Sequence, residues 1–127
     1  MSRAGPTWYD QNYLYRAPIV VDGSATASGT VDATITIPET HEFWLQVQST
    51  GYDVRFTTSN GYTLLAYNRA TWTYASKVGI FNIDGITHHT TNTMTVIWMY
   101  WGYSGATDGS TSPTISGALN AYLWVGT

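Results

Sequence analysis

The feature that most constrains this chain is a two-residue alternation of apolar and polar side chains, which recurs along its length. In residues 30–37 (TVDATITI) the valine, the alanine and both isoleucines fall on one face, and the aspartate and the threonines fall on the other. Because side chains of a strand point alternately to its two faces, this pattern predicts a half-buried strand. No segment sustains the spacing of an amphipathic helix. We therefore predict an all-β protein.

Turn residues divide the chain into about eight short apolar runs. The predicted strands are residues 13–21, 30–37, 43–47, 52–58, 62–67, 77–83, 93–100 and 118–125. Between the fourth and fifth, Asn60-Gly61 favours a two-residue type I′ hairpin turn, in which both central residues need positive φ. Residues 105–113 (GATDGSTSP) are predicted to be a flexible loop. Many short strands separated by turns indicate an antiparallel β-sandwich, most simply of jelly-roll type.

The length of 127 residues corresponds to one domain. We predict a single β-sandwich domain over residues 8–127, preceded by an N-terminal arm of residues 1–7 that lies outside the core. The first residues contain no apolar segment of the kind found in a secretory signal, and no run approaches the roughly 18 apolar residues of a membrane span. The expected protein is made in a cytoplasm, is soluble and does not bind membranes.

Charged residues make up 10% of the chain, compared with about 25% in an average soluble domain. Six tryptophans and ten tyrosines stand among many small polar residues. Because charge normally keeps a monomer soluble and apart from its neighbours, this composition favours a protein that works against another surface. The cations, which are scattered and form no basic stripe, argue against nucleic-acid binding; they are Arg3, Arg16, Arg55, Arg69 and Lys77.

Asp53 and Arg55 stand two residues apart in a predicted strand, so they are expected to share one face. General acid–base catalysis would need a second acid at a defined separation, and none lies nearby in the sequence. We therefore interpret the two residues as a structural pair, either an ion pair or a hydrogen-bond anchor beside the Asn-Gly turn.

Other groups that could carry chemistry give weak signals. Adjacent His88 and His89 would point to opposite faces of a strand, and the chain has no cysteine to complete a zinc site. The segment around Ser104 (GYSGA) lacks the final glycine and the downstream histidine of a nucleophile elbow. Asp108-Gly109 lacks the further aspartates of a calcium loop. We predict no catalytic residue, no metal and no cofactor, and hence no enzyme.

The aromatic residues are too numerous for a small sandwich to bury all of them. In residues 94–103 (MTVIWMYWGY) alternation places Trp98 and Tyr100 on one face and Trp101 on the other. Exposed tryptophan and tyrosine side chains can anchor a protein interface or stack on sugar rings, while others pack in the core. The residues predicted to bind a partner protein or a glycan are Trp8, Trp44, Trp72, Tyr74, Trp101 and Tyr103.

A set of positions spread over most of the chain forms a further pattern. These positions are Trp8, Tyr15, Arg16, Pro18 and Ile19, then Asp53, Arg55, Phe56 and Thr57, then Gly61, Leu64, Leu65, Tyr67 and Trp72, and finally Met99, Tyr100, Trp101 and Gly102. In this pattern the chain resembles the domain of unknown function DUF2341, a β-sandwich module of large prokaryotic surface, secreted or channel-associated proteins and of phage genomes. Two positions depart from it, with Ala70 in place of an acidic residue and Gly79 in place of an aromatic one. The resemblance implies that Asp53 and Arg55 belong to the signature of the fold.

Such a module without an export signal fits a virus particle, which assembles in the host cytoplasm and leaves by lysis. We predict a non-enzymatic phage structural protein located in the virion, either a capsid decoration (cement) protein or another accessory subunit. Its expected partners are the major capsid protein or other virion subunits and further copies of itself. The alternative is a carbohydrate-binding module in which tryptophan and tyrosine side chains form a sugar platform.

Overall fold

The computed structural model describes residues 8–22, 29–88, 95–116 and 118–123. It is all-β, as predicted, with eight strands and one short helix. The elements are β1 (Tyr15–Asp22), β2 (Gly29–Thr36), α1 (Phe43–Gln46), β3 (Arg55–Thr57), β4 (Leu64–Leu65), β5 (Tyr67–Thr73), β6 (Val78–His88), β7 (Thr95–Trp101) and β8 (Leu119–Leu123). The predicted arm of residues 1–7 lies outside the described residues, as do His89 and Trp124.

All eight strands belong to one sheet, in the order β4-β3-β7-β1-β8-β2-β6-β5. Among the described residues six strand pairs are antiparallel, while β2 and β8 run parallel. The prediction of purely antiparallel pairing is thus wrong at one pair, because β8 lies between β1 and β2, which run in opposite directions, so it can be antiparallel to only one of them. The sheet is mixed and nearly barrel-shaped, and a jelly-roll sandwich is not confirmed.

The barrel shape arises because the two edge strands of the sheet are neighbours in the sequence. Only Ala66 separates β4, which pairs with β3, from β5, which pairs with β6. The carbonyl of Ala66 accepts a hydrogen bond from the backbone N–H of Asp84 in β6, at 2.9 Å. One bent segment of chain therefore serves both ends of the sheet and brings them together.

The interior of the barrel is apolar and closely packed. Ile19, Ile35, Ile83 and Met99 are fully buried, and aromatic rings fill the space beside them. The ring of Phe81 has its centroid 5.5 Å from that of Phe56, 5.8 Å from that of Tyr67 and 5.9 Å from that of Trp72. Edge-to-face and tilted contacts of this kind stabilise a core beyond the burial of apolar area alone.

Residues 43–47, predicted as a strand, instead form the single helical turn α1. Phe43, Trp44 and Val47 are buried, while Leu45 is 82% exposed. Buried positions at i, i+1 and i+4 match a helical face and conflict with strand alternation. The five-residue apolar run was too short to distinguish the two periods.

The hairpin of β3 and β4 is present, with Phe56 opposite Leu65, but its loop is longer than predicted. Gly61 has a φ of +88°, and Lys77 is the one non-glycine residue with positive φ in the described segments, so Asn60 does not adopt the type I′ conformation. Instead the Asn60 side-chain oxygen accepts the backbone N–H groups of Tyr62 and Thr63. A side chain that bonds its own loop has stabilised a six-residue connection.

Residues 102–116, which we call the strap, connect β7 to β8 without regular secondary structure. The predicted flexible loop, residues 105–113, falls within it, yet the strap is held at several points. The side-chain amide of Gln48 donates to the carbonyls of Tyr103, Ser104 and Ala106. Further along, the backbone N–H of Thr111 donates to the carbonyl of Tyr67 at 2.8 Å. The strap is thereby fixed against the barrel.

Candidate functional site

An apolar patch covers the outside of the three adjacent strands β7, β1 and β8. Strand register places Val20 opposite both Val96 and Tyr122, and Pro18 opposite Trp98. Tyr122 is 56% exposed, and the other four side chains are half-buried. We call these five residues the outer face.

The outer face is unusual because the alternate residues of the same strands are also apolar. Ile19, Ile97 and Leu123 point into the barrel and are at most 7% exposed. A strand with one face on the core and one in water normally carries polar side chains on its outer side. Apolar residues on both sides make the outer face a candidate contact surface.

Beside the outer face lies an open groove with a volume of about 790 Å³. Its aromatic lining comes from Trp8, Tyr15, Trp98 and Trp101, and part of its polar lining comes from Arg16 and His41. The volume falls within the roughly 300–1,000 Å³ typical of small-molecule sites. Since Pro18 and Trp98 also belong to the outer face, the groove and that face form one continuous surface.

Arg16 organises the aromatic end of the groove. Its guanidinium carbon lies 4.4 Å from the centre of the Trp8 ring and 4.3 Å from the centre of the Trp98 ring. A guanidinium over an indole face is attracted by the negative charge of the π system, most strongly where water is partly excluded. Arg16 therefore bridges two tryptophans that are 90 residues apart in the sequence and fixes the wall that they form.

Tyr100 anchors the segment that carries Trp8. Its hydroxyl donates to the carbonyl of Gly61 at 2.6 Å and accepts from the backbone N–H of Tyr9 and from Arg16. The ring of Trp8 packs edge-on against the Tyr100 ring, with centroids 5.4 Å apart. Although Tyr100 points outward from the barrel, it is fully buried under residues 8–13.

The opposite end of the groove begins at α1. The Nδ1 atom of His41 accepts a hydrogen bond from the backbone N–H of Phe43 at 2.9 Å. Burial lowers the pKa of His41, against a smaller opposing effect of the Glu42 carboxylate. A neutral imidazole whose Nδ1 accepts must carry its proton on Nε2. His41 therefore presents a donor, and its exposed neighbour Glu42 an acceptor, at this end of the groove.

Of the six aromatic residues predicted to bind a partner, the structure brings only Trp8 and Trp101 together at the groove. Trp101 is 2% exposed, so it contributes just an edge, and Trp44 is buried to the same extent in the core. Burial removes the Trp44 ring from any sugar platform. The Trp44 indole N–H instead donates to the carbonyl of Pro38, at 3.0 Å.

The other three predicted residues lie elsewhere. Trp72 packs on Trp44, with ring centroids 5.1 Å apart, and its indole N–H donates to the carbonyl of Ser49. Tyr74 is 38% exposed beside the same pair. Tyr103 packs edge-on against Tyr13, with ring centroids 5.3 Å apart. These three side chains do not form one surface with Trp8.

Asp53 and Arg55 form no ion pair with each other; the salt bridge in the described segments joins Arg69 and Asp108. Asp53 lies in the turn before β3 and is fully buried. Its carboxylate accepts three backbone N–H groups, from Gln48, Gly102 and Tyr103, at 3.0 to 3.1 Å. The premise that both residues sit on one strand is wrong, since β3 begins only at Arg55.

Arg55 holds a different part of the strap. Its guanidinium donates to the carbonyls of Tyr52 and Val54 and, at 2.8 Å, to that of Thr107. It also lies 5.7 Å from the centre of the Tyr13 ring. Asp53 and Arg55 therefore act separately, as two hydrogen-bond anchors of one loop.

One close pair of carboxyl groups exists, but it is also built into the scaffold. A hydrogen bond with Asp32 raises the pKa of Asp84. Asp32 accepts the backbone N–H groups of Ser116, at 2.7 Å, and Gly85, at 3.3 Å. Burial alone would raise the pKa of Asp32, and these hydrogen bonds lower it. Asp32 thus fixes the end of the strap, as Asp53 fixes its beginning.

The part of the chain that the structure describes contains no group of three or more histidine, cysteine or acidic residues that could hold a metal ion. Within the same residues, no helix has the length and apolar character needed to span a bilayer.

Several groove residues were not among those predicted to bind, namely Tyr15, Arg16, His41, Glu42 and Trp98. Alternation correctly placed Trp98 and Tyr100 on the face opposite Trp101. It could not show that Arg16 would meet Trp98, since that contact depends on the pairing of β1 with β7. The aromatic-Arg-x-Pro run of residues 15–18 was the one local signal.

Comparison of the chain with protein-family models, with curated proteins and with solved structures gave no match. The likeness to DUF2341 therefore stays a prediction of the sequence. The outer face and the groove are the two surface features that bear on function.

Proposed function

We propose that this protein is a non-enzymatic phage structural protein, a capsid decoration protein or another accessory subunit of the virion, and that it acts by binding neighbouring protein subunits. The observation that supports the proposal is the outer face, whose five apolar residues lie on the outside of the barrel. A binding partner that covered them would remove apolar area from water, which is the main driving force of protein association.

The remaining surface chemistry is consistent with this role. Exposed charges are few, and several of the charged groups are engaged within the molecule, as at Asp53, Arg55 and the Arg69–Asp108 pair. Interfaces that stay formed are depleted in charge at their centre and enriched in aromatic residues. On a symmetric shell, even a modest contact would be repeated many times and so strengthened.

The jelly-roll part of the fold prediction belongs to this proposal as well. The nearly closed sheet can be divided into the halves β4-β3-β7-β1 and β8-β2-β6-β5, which would be the two layers of such a sandwich. Jelly rolls are common among capsid domains. An experimental structure compared with capsid-associated domains would test this relationship.

The proposed function is tested by placing a charge on the outer face. Tyr122→Lys is suitable, since the side chain is already 56% exposed and its removal leaves no cavity in the core. Thr71→Lys, at an exposed position of β5, three strands away from β8 in the sheet, is the matched control. Each variant is incubated with purified phage particles from the source lysate and sedimented through a density gradient. Co-sedimentation of the variant with the particles reports binding to the virion. Light scattering after size-exclusion chromatography reports self-association.

We expect the wild-type protein and Thr71→Lys to co-sediment with particles, and Tyr122→Lys to lose most of this binding with an unchanged melting temperature. Equal binding by both lysine variants would exclude the outer face as the contact surface. A wild-type chain that remains monomeric and never sediments with particles would contradict the virion role itself.

A further inference from the structure

We propose that the groove between Trp98 and α1 is a binding site for a neutral sugar, one pyranose unit of a glycan. The inference does not depend on the virion role, because it concerns a different class of ligand, although Pro18 and Trp98 belong both to the groove and to the outer face. It rests on three properties of the groove: its aromatic walls, its mixture of donors and acceptors, and its balanced charge.

The aromatic walls suit the apolar faces of a sugar ring. Trp8, Tyr15 and Trp98 line the groove and are each half-buried, so part of each ring remains accessible. Pyranoses carry C–H groups on their flat faces and hydroxyls around their edges. The C–H face packs on the negatively charged face of an aromatic ring, for the same reason that the positive edge of one ring packs on the face of another.

These walls are also held in place before any ligand arrives. Arg16 bridges Trp8 and Trp98, the indole N–H of Trp98 donates to the carbonyl of Ser59, and Tyr15 stacks on Trp101 with centroids 6.0 Å apart. A preorganised wall costs little conformational entropy on binding. This matters for a sugar, which offers little apolar area in return.

The polar side chains of the groove can meet hydroxyl groups in both senses. Each sugar hydroxyl donates one hydrogen bond and accepts others, so a matching site needs acceptors as well as donors. The carboxylate of Glu42 accepts, the Nε2–H of His41 donates, and the exposed hydroxyl of Thr40 does both. All three residues are consecutive in the chain and lie at the end of the groove opposite Trp98.

The charge of the groove favours a neutral ligand. Arg16 and Glu42 are the two charged residues of its lining, with opposite signs, and His41 is neutral because burial lowers its pKa. The whole molecule carries a net charge of −3, which disfavours the approach of an anionic sugar. Like charges brought together at an interface oppose binding.

The test is a titration with defined probes. Neutral probes are glucose, galactose, mannose, N-acetylglucosamine and disaccharides of each; the anionic probe is glucuronic acid, and a proline-rich peptide represents a protein ligand. Intrinsic tryptophan fluorescence and saturation-transfer NMR report binding. We expect at least one neutral probe to bind at millimolar concentration or below and to change the fluorescence, because three indoles line the site.

Variants then locate the site. Trp98→Ala is expected to weaken binding of that sugar about tenfold or more. Glu42→Gln, at an exposed side chain that cannot unfold the protein, is expected to weaken it severalfold, so the test does not depend on Trp98→Ala remaining folded. Trp72→Phe is the matched control, since Trp72 is also a half-buried indole but lies outside the groove; it should bind the sugar as the wild type does.

Three results would overturn the proposal. One is the absence of binding by every neutral probe at tens of millimolar. The second is binding of glucuronic acid or of the proline-rich peptide alone. The third is sugar binding that Trp98→Ala and Glu42→Gln both leave unchanged, which would place the ligand elsewhere.

Discussion

At the scale of single residues, the few charged side chains of this protein do mostly internal work. Asp53 accepts three backbone N–H groups of chain segments that are about 50 residues apart. A buried carboxylate satisfied by several amides is stable only as a complete set, because each partner left alone would be a buried polar group without a hydrogen bond. Asp53 therefore fixes the position of the strap relative to α1 and the following turn.

We predict that Asp53→Ala lowers the free energy of unfolding by about 3 kcal/mol, since three buried backbone donors lose their acceptor. Chemical denaturation followed by tryptophan fluorescence measures this loss. At temperatures below its lowered melting point, Asp53→Ala should bind the sugar and the particles nearly as well as the wild type does.

Asp108→Asn is the control for Asp53→Ala. Asp108 bonds Arg69 and a nearby backbone N–H, but its side chain is 38% exposed, so water screens the ion pair. The loss should stay below about 1 kcal/mol. If Asp53→Ala were as stable as Asp108→Asn, the view that Asp53 anchors the strap would be wrong.

At the scale of elements, the strap shows how an irregular segment is held by side chains from other parts of the chain. Gly109 passes so close to Arg55 that an added Cβ would overlap the guanidinium. The backbone N–H of Gly109 donates to the carbonyl of Tyr52, which Arg55 also contacts. Glycine is needed there for lack of space.

We predict that Gly109→Ala displaces the Arg55 guanidinium and loosens the middle of the strap, at a cost of about 1 kcal/mol. Hydrogen exchange in this variant should become faster at the amides of residues 109 and 111, while amides in β1 and β7 keep their protection. Ser112→Ala, at an exposed position of the same segment, should leave the exchange rates unchanged. If Gly109→Ala and Ser112→Ala both exchanged at the rates of the wild type, the contact with Arg55 would not be what holds the strap.

A second prediction at this scale concerns pH and the start of α1. Burial lowers the pKa of His41 below its ordinary value near 6.5, so the unfolded chain binds its proton more readily than the folded one. The stability that neutral His41 gives the folded state is fully present above pH 6.5, and it is lost as the pH falls toward the lowered pKa. His41→Gln should therefore lose less stability than the wild type between pH 7 and pH 5, as measured by thermal unfolding.

The Glu42 carboxylate provides a check on that assignment, because it opposes the effect of burial on His41. In Glu42→Gln the pKa of His41 should fall further, and the loss of stability on acidification should grow. If His41→Gln and the wild type had the same pH profile, His41 would not be the group that titrates.

Local patterns located seven of the eight strands but missed β5, and they predicted the connections poorly. The alternation of residues 30–37 reports which side chains meet the core, and the structure agrees from Ala33 to Ile37. It fails at Asp32, which is buried where the register with β6 shifts between Val31 and Ala33. The interpretation of residues 43–47 and of Asn60-Gly61 failed because each depended on five residues or fewer. The strap was beyond local prediction, since Gln48, Arg55 and Asp53 reach it from sequence positions about 50 residues away.

At the scale of the whole molecule, one continuous core links all the strands. Phe81 of β6 is fully buried and touches aromatic rings from β3 and β5. The described segments contain no second core that could unfold independently. The molecule should therefore unfold as one cooperative unit.

We predict that Phe81→Ala lowers the free energy of unfolding by about 3–5 kcal/mol, through lost apolar burial and the cavity left behind. Urea unfolding followed by fluorescence and by far-UV circular dichroism should give one coincident transition. Val78→Ala, at a 38% exposed position of the same strand, should cost less than about 1 kcal/mol. Transitions that differ between the two probes would show that the barrel does not unfold as a unit.

The sequence predicted an all-β architecture of about eight strands, but the strand order was beyond it. The alternation of side chains gives the faces of a strand, yet it carries no information on which strand lies beside which. The parallel pair of β2 and β8 and the contact of Arg16 with Trp8 and Trp98 depend on that order. For the same reason the aromatic residues could be identified, while the groove could not.

The junction at Ala66 affects how copies of the protein behave at high local concentration. Open sheets tend to recruit one another through unsatisfied backbone groups at their margins, and repulsion between like charges is a common safeguard. This protein has little such repulsion, but its chain folds the two margins of the sheet toward each other. Crowded copies therefore offer one another few unpaired backbone groups at the sheet margins, which disfavours growth into fibres.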